Sequence, residues 1–497
     1  MKKHITLLLL FALLAQLTAC GGGTSADTTA SGDTTAPTVE EDDRFVKDDL
    51  PALDYGGKTV NVTMGDYNDG YFADMYTEEA NGNRLNDAVF NMLTAVEQRL
   101  NVDLVYLEEQ FDWNGMGAYQ TKIASQIMAG DAGMDILFSG FNNMAALQIE
   151  GEYFLDLATL EHVSLDKPWY NQSVLDNLAT DTVDFVLGEF SIANIKHAYC
   201  MYFNQSLMED MGIKENMYEI VESGKWTLDK LAELIKGGYV DLNGNTERDF
   251  EDRYGLTFGD KNKLMGFIKS CGVDMFKKEG DVFNFEYDSE RAVNTIQKLR
   301  SIIYDSGETS PALDNNDKNP DWLIYTGGSC YASRMYMEGN SLFTGALLQD
   351  AATMAPEVKF TWGMVPYPKY DETMQSYDAF LQRACYAMVP VIAADPQMSG
   401  AVLEAISSES YRSLIPEYME VTLKVRYSPD DNVSRMFDTI RNNIVYDPGE
   451  LYAIQLGTPS ALWKNGLDTN AQEWASFMAS KKPAIVEKMG QIAEVAE

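Results

Sequence analysis

The 497-residue sequence is poor in histidine, in paired cysteine and in positive charge. His4, His162 and His197 are its three histidines, and none has a flanking catalytic motif. No G-x-S-x-G, H-E-x-x-H, G-x-x-x-x-G-K-[ST] or G-x-G-x-x-G string occurs, so the usual hydrolase, zinc-protease and nucleotide-binding signatures are missing. The five cysteines form no C-x-x-C pair, which argues against a zinc site. Cys200, Cys271, Cys330 and Cys385 lie in apolar strings and read as buried thiols, although disulfides are open to an exported chain. Lys and Arg number 38 against 76 Asp and Glu, a formal net charge of −38. Such a surface repels phosphate backbones and excludes nucleic acid as a partner. A glycosidase needs only two carboxylates, and this many acids always supply a pair, so that chemistry stays open.

What is present begins with an address. Lys2 and Lys3 precede an apolar run from Ile5 to Leu17. That run is shorter than the roughly 20 residues that span a bilayer, and it has the form of an export signal. Leu17-Thr18-Ala19-Cys20, then Gly21 to Gly23, resembles the bacterial lipoprotein signal. The resemblance implies that residues 1–19 are a signal peptide and that Cys20 is the lipidation site. The protein would then be lipid-anchored to the cell membrane, facing the extracellular side. Two acyl chains hold a protein stably where one is marginal. Residues 20–53 are rich in Gly, Ser, Thr, Ala and acid and read as a flexible tether of roughly 30 Å reach.

From Lys58 onward, strand and helix periods alternate. Val60, Val62 and Met64 alternate as a half-buried strand, while Leu85, Val89, Leu93, Val96 and Leu100 fall at helical spacing. Val102, Leu104 and Tyr106 return to strand period, Tyr119, Ile123 and Ile127 to helix period, and Asp135–Phe138 is a short buried strand. Further strands are expected at Tyr199–Asn204, Tyr254–Phe258 and Ser341–Phe343, with Thr227 capping a helix. The closing segment, from about Ser434, reads as helical with Trp463, Trp474 and Phe477 as anchors. Strand–helix alternation of this kind predicts an α/β sheet with helices on its faces. Ligands of open α/β sheets lie beyond the carboxyl ends of strands, which selects Asp66 and Ser139.

Several strings, taken in order, resemble the extracellular solute-binding proteins of ABC importers, the carbohydrate-type group that includes maltose-binding protein, and in particular Firmicutes lipoproteins. They are Asp135–Gly140, Leu155-Asp156-Leu157, Pro168–Asn171, Tyr202–Leu207, Lys225–Leu228, Val365–Glu372 and Glu409–Arg412. The resemblance runs from about Lys58 to Tyr452. It implies a two-lobed type II-like α/β fold whose lobes, 54–196 plus 383–432 and 197–382 plus 433–497, are joined by three crossings. Those crossings would lie near Lys196–Tyr199, Phe380–Cys385 and Asp430–Arg435. It also implies a small-molecule solute, most simply a carbohydrate, delivered to ABC permease subunits without catalysis; a peptide-binding lipoprotein is the main alternative.

Sugars present apolar ring faces and a girdle of hydroxyls, so aromatic platforms and carboxylates are the expected contacts. Trp169, Tyr170, Phe258, Phe343, Tyr377 and Asp378 join Asp66 and Ser139 as candidate ligand residues. No cofactor is expected, with one qualification. Asp241, Asn243, Asn245, Asp249 and Asp252 place oxygens at positions 1, 3, 5, 9 and 12 of a loop similar to a structural calcium site. Thr246 stands where such a loop wants Gly, and Asp252 replaces the bidentate Glu, so an Asx-rich turn is the competing reading.

Overall fold

The computed structural model describes residues 46–67, 75–112, 114–130, 133–258, 261–310, 331–354, 356–420, 431–468 and 471–494. The signal segment 1–19, Cys20, Cys330 and Asp430 lie outside them. In chain order the strands are β1 (Lys58–Tyr67), β2 (Val102–Phe111), β3 (Ile136–Ser139), β4 (Val186–Leu187), β5 (Tyr199–Asn204), β6 (Tyr254–Phe258), β7 (Phe276–Glu279), β8 (Val282–Phe285), β9 (Ser341–Leu347), β10 (Trp362–Val365) and β11 (Tyr386–Met388).

The first sheet grows from the amphipathic pattern at its start. Val60, Val62 and Met64 are buried along β1, which runs parallel to β2 from the pair Lys58–Val102 to the pair Tyr67–Phe111. Between them, helix Arg84–Leu100 buries Val89, Met92, Leu93, Val96 and Leu100 as one stripe. The Asn83 side chain caps it by accepting from the Leu85 and Asn86 amides, and Asn101 ends it in the left-handed region at φ 51°. The sheet order is β2-β1-β3-β11-β4, with β1 to β3 parallel. β11 arrives from far along the chain and inserts antiparallel between β3 and β4.

The second sheet has the order β10-β5-β9-β6. Every residue of β5, β6 and β9 is buried, as strands covered on both faces must be. Thr227 caps its helix as expected, accepting from the Lys230 amide at 3.3 Å. β7 and β8 form a separate hairpin. Near the carboxyl end, Trp463 and Trp474 are fully buried at 87° to each other, and Trp474 Nε1 donates to the Tyr287 carbonyl at 3.0 Å.

Three segments run side by side between the sheets. The Tyr199 amide donates to Phe380 O (3.1 Å), the Gln382 amide to His197 O (3.0 Å), and the Val445 amide to Ala379 O (3.0 Å). The first two lie where crossings were expected. Arg435, expected on the third, instead belongs to helix Asp431–Arg441 and pairs with Glu222 at 2.7 Å; the passage beside the other two is 443–445.

The chain is attached to this body before β1. Asp48 takes a two-nitrogen contact from Arg99 and the Ser408 hydroxyl, Lys167 holds Asp49 at 2.6 Å, and Leu50 and Leu53 pack on the core. Burial opposes ionisation of Asp48, but these donors hold its pKa down at about 2. Residues 46–53, read from composition as tether, are therefore bound. No helix among the described residues is long and apolar enough to cross a membrane.

Candidate functional site

The carboxyl ends of β1 and β3 bring together the two residues that the strand-end rule selects. Asp66 is 1% exposed near the end of β1, and Ser139 is fully buried at the end of β3. Gly65 lies beneath them in such close quarters that a Cβ there would stand 2.2 Å from the Tyr119 hydroxyl and 2.6 Å from Ser139 Oγ. Only glycine fits. Cys385 adjoins Asp66: burial, and then the Asp66 charge, push its thiol pKa well up, leaving an inert thiol. Asn194 fixes this corner by donating to Cys385 O (2.8 Å) and Gly188 O (2.7 Å) while accepting from the Cys385 amide (2.7 Å).

The second sheet contributes from the opposite side of the crossing. After β6, Lys263 Nζ donates to Gln382 Oε1 at 3.1 Å, and Lys464 Nζ donates to Asn262 Oδ1 at 2.7 Å. Tyr367 OH donates to the Lys263 carbonyl at 2.7 Å and so fixes the backbone there. His197 is kept neutral by burial and by the nearby charges of Lys196 and Lys263. Both sets meet on the crossing segment 379–385. The junction thus carries a carboxylate and hydroxyls on the first-sheet side, and amides and an ammonium on the other.

The aromatic candidates do not line this junction. Trp169 and Tyr170 are 0% and 2% exposed and belong to the first half's core. Tyr170 makes an isolated bridge to Gly188 and donates its hydroxyl to Glu404 at 2.8 Å, so helix Pro396–Glu409 covers a string that looks superficial in sequence. Phe258 packs edge-on against Phe267. Phe343 sits mid-strand, because β9 continues to Leu347, and stacks on Trp226 with centroids 5.5 Å apart. Tyr377 is pinned in the second half: its hydroxyl donates to Val221 O (3.0 Å) and accepts from the Trp226 amide (3.2 Å). Asp378 does adjoin the crossing; its carboxyl accepts from the Ser376 hydroxyl, and burial raises its pKa. Tyr119, Asn194, Lys263 and Gln382, which also lie at the junction, were not selected from the sequence. Tyr119 falls on a helical stripe and looks like packing, and polar residues at a crossing carry no local signal.

A cavity of about 540 Å³ lined by Phe203, Met208, Ile213, Met217, Tyr218 and Asn432 opens at the other end of β5. It contains none of the junction residues.

The calcium-like loop is internally satisfied. Asp241 accepts from the Gly244 (2.7 Å) and Thr246 (3.0 Å) amides, Asn243 from the Asn245 amide (2.9 Å), and Asn245 from the Glu247 amide (2.7 Å). Asp249 accepts from Asn245 Nδ2 (2.8 Å) and the Glu251 amide (2.8 Å), and Asp252 from the Leu242 amide (3.1 Å). Thr246 takes φ 67° where such loops turn on glycine. The two amide groups turn their nitrogens, not their oxygens, toward Asp249. Among the described residues, no group of three or more His, Cys, Asp or Glu is placed to hold a metal ion. Cys200, Cys271 and Cys385 are free and buried.

The sequence matches no protein-family model and no curated protein. Solved structures do match in fold. The extracellular solute-binding protein of Staphylococcus aureus in complex with maltose is 13% identical, with 88% of this chain and 99% of that one covered at a TM-score of 0.55. The GacH receptor of Streptomyces glaucescens, solved unliganded and with acarbose, is 13% identical over 87% and 99% of the two chains at 0.55. The galacto-N-biose/lacto-N-biose I-binding protein of the Bifidobacterium longum ABC transporter, in complex with lacto-N-biose, is 12% identical over 88% and 98% at 0.53. This chain therefore has the two-lobed α/β fold of solute-binding proteins, as the sequence strings implied.

Proposed function

We propose that this protein is the substrate-binding component of an ABC importer and captures a sugar or oligosaccharide by closing its two lobes around it. Cys20 carries the lipid that holds it at the outer face of the cell membrane, and the tether concentrates it near a permease that receives the solute. The observation that carries the reading is the end-to-end likeness in fold to the maltose-bound Staphylococcus aureus protein, which extends over 99% of that chain. The junction chemistry supports it, because Asp66, Ser139 and Asn262 are groups that pair with hydroxyls. Loss of Lys2 and Lys3 with the signal takes the net charge from −38 to −40, which favours a neutral solute over an anion. The protein binds and releases without turnover.

A melting screen against maltose, maltotetraose, lacto-N-biose, acarbose and mixed oligopeptides tests this, since a ligand specific for the native state raises Tm by mass action. At least one saccharide is expected to raise Tm, and Asp66→Ala to remove the rise. Stabilisation by peptides alone, or hydrolysis of a glycoside, overturns the reading. For the anchor, Cys20→Ser in a lipidating host is expected to release the protein into the medium; retention in the membrane fraction overturns that part.

A further inference from the structure

Beside the crossing lies a buried polar cluster that solute capture does not use. Residues 443–452 form a strap gripped from both sides. On the first-sheet side, Asn171 Nδ2 donates to Ile444 O (2.9 Å), Asn177 Nδ2 to Tyr446 O (3.1 Å), and the Ala179 amide to the Tyr452 hydroxyl (3.1 Å). On the second-sheet side, Asp447 accepts from Lys269 Nζ and from the Phe276 amide (3.3 Å). Gly449 lies so close to Met275 that a Cβ there would stand 2.4 Å from the Met275 Cβ. Lys278 Nζ reaches across directly to Leu178 O at 2.7 Å.

The charges in this cluster do not balance. Lys269, 2% exposed, holds Asp274 at 2.6 Å and Asp447 in a still closer contact. Glu450, 6% exposed, lies one turn beyond Asp447, and its Oε1 has no hydrogen-bond partner among the described residues. The charged groups that bear on it are Asp447 from its own helix, and Lys269 and Asp274 from the second half. Tyr287 after β8, Tyr386 of β11 and Tyr446 of the strap also face it, each kept un-ionised by burial. One ammonium thus meets three carboxyls, two of which already occupy it. Asp447 also accepts from the Gly449 amide at 2.6 Å, so the negative charge belongs on Asp447 and the proton on Glu450.

We propose that Glu450 is a neutral carboxylic acid whose proton keeps the 443–452 strap seated between the two halves, so that losing it loosens their junction. Burial, then the charge of Asp447, places the loss at about 8. The sign follows from a folded-state pKa raised above the ordinary 4.5. Stability from this group is complete below about 4.5, declines as pH rises toward 8, and is flat beyond.

Infrared difference spectra of the full chain against Glu450→Gln test the proton directly. At pH 7 the wild type is expected to show a protonated-carboxyl stretch that the variant lacks, and the band should fade as pH passes 8. Hydrogen exchange reads the consequence. Amides of 443–452, corrected for intrinsic exchange, are expected to lose roughly tenfold protection between pH 7 and 9 in wild type, equal to one pH unit of linked opening. Glu450→Gln should keep it. Absence of the band at pH 7, or equal loss of protection in both proteins, overturns the proposal. If Glu450→Gln does not fold, Glu404→Gln decides the matter: its band should remain at pH 7 and fade past 8, and its absence overturns the proposal.

Discussion

Glu404 and Glu450 are both removed from water, and they are held by opposite means. Glu404, fully buried on helix Pro396–Glu409, is met by neutral donors, the Tyr170 hydroxyl at 2.8 Å and the Ser164 amide at 3.3 Å. Burial, which the Tyr170 and Ser164 bonds oppose, moves its pKa up to about 7. Glu450 instead shares its surroundings with Lys269, Asp274 and Asp447, charges drawn from both sides of the strap. The first arrangement fixes a side chain within one rigid half. The second joins two halves, so a change in its charge count acts on their relation.

Removing the cation should separate the two sites most sharply. Lys269→Met strands Asp447 at a buried position beside the half-buried Asp274, and a loss of about 3–5 kcal/mol is expected from denaturant unfolding at pH 7. A loss under 1 kcal/mol, by the same unfolding measurement, would mean that the cluster carries little of the junction. Glu404→Gln gives the next effect. The Glu404 contribution to wild-type stability is expected to decline as pH rises from the ordinary 4.5 toward about 7, by about 3 kcal/mol at most, and to level off above. Between pH 5 and 8 the variant should lose less stability than wild type by that amount; parallel profiles would show that Glu404 is already ionised at pH 5. The smallest effect belongs to a third acidic site, the exposed loop 241–252, whose oxygens are taken by its own amides. Melting in calcium and in chelator should coincide, and a calcium-dependent rise in Tm would reveal a site that the loop must rearrange to form.

Much of the fold was legible because its signals are local. The stripe Val89, Leu93, Val96 and Leu100, and the alternation of Val60, Val62 and Met64, each specify an element without help from the rest of the chain. β11 was not legible: three residues make it a strand only because β3 and β4 flank it. The placement of Asp66 and Ser139 near neighbouring strand ends followed from the strand-end rule, which is a property of sheets. Trp169 and Tyr170 were misplaced for the opposite reason. A proline and polar neighbours suggest a surface string, while the helix that covers them lies more than two hundred residues further on. Phe343 was misplaced by the length of β9, whose last residues, Gly345 and Ala346, give little strand signal of their own.

The insertion of β11 bears on how this chain comes into being. Ser139 waits for Tyr386 before the first sheet has a neighbour on that side, and β4 has no place in the sheet until the same moment. Everything from β5 to β10, a whole second sheet, lies between them in the chain. The first sheet is thus begun before the second and closed only after every strand of the second has been made. A chain made amino terminus first keeps that edge open until almost four-fifths of it has been made.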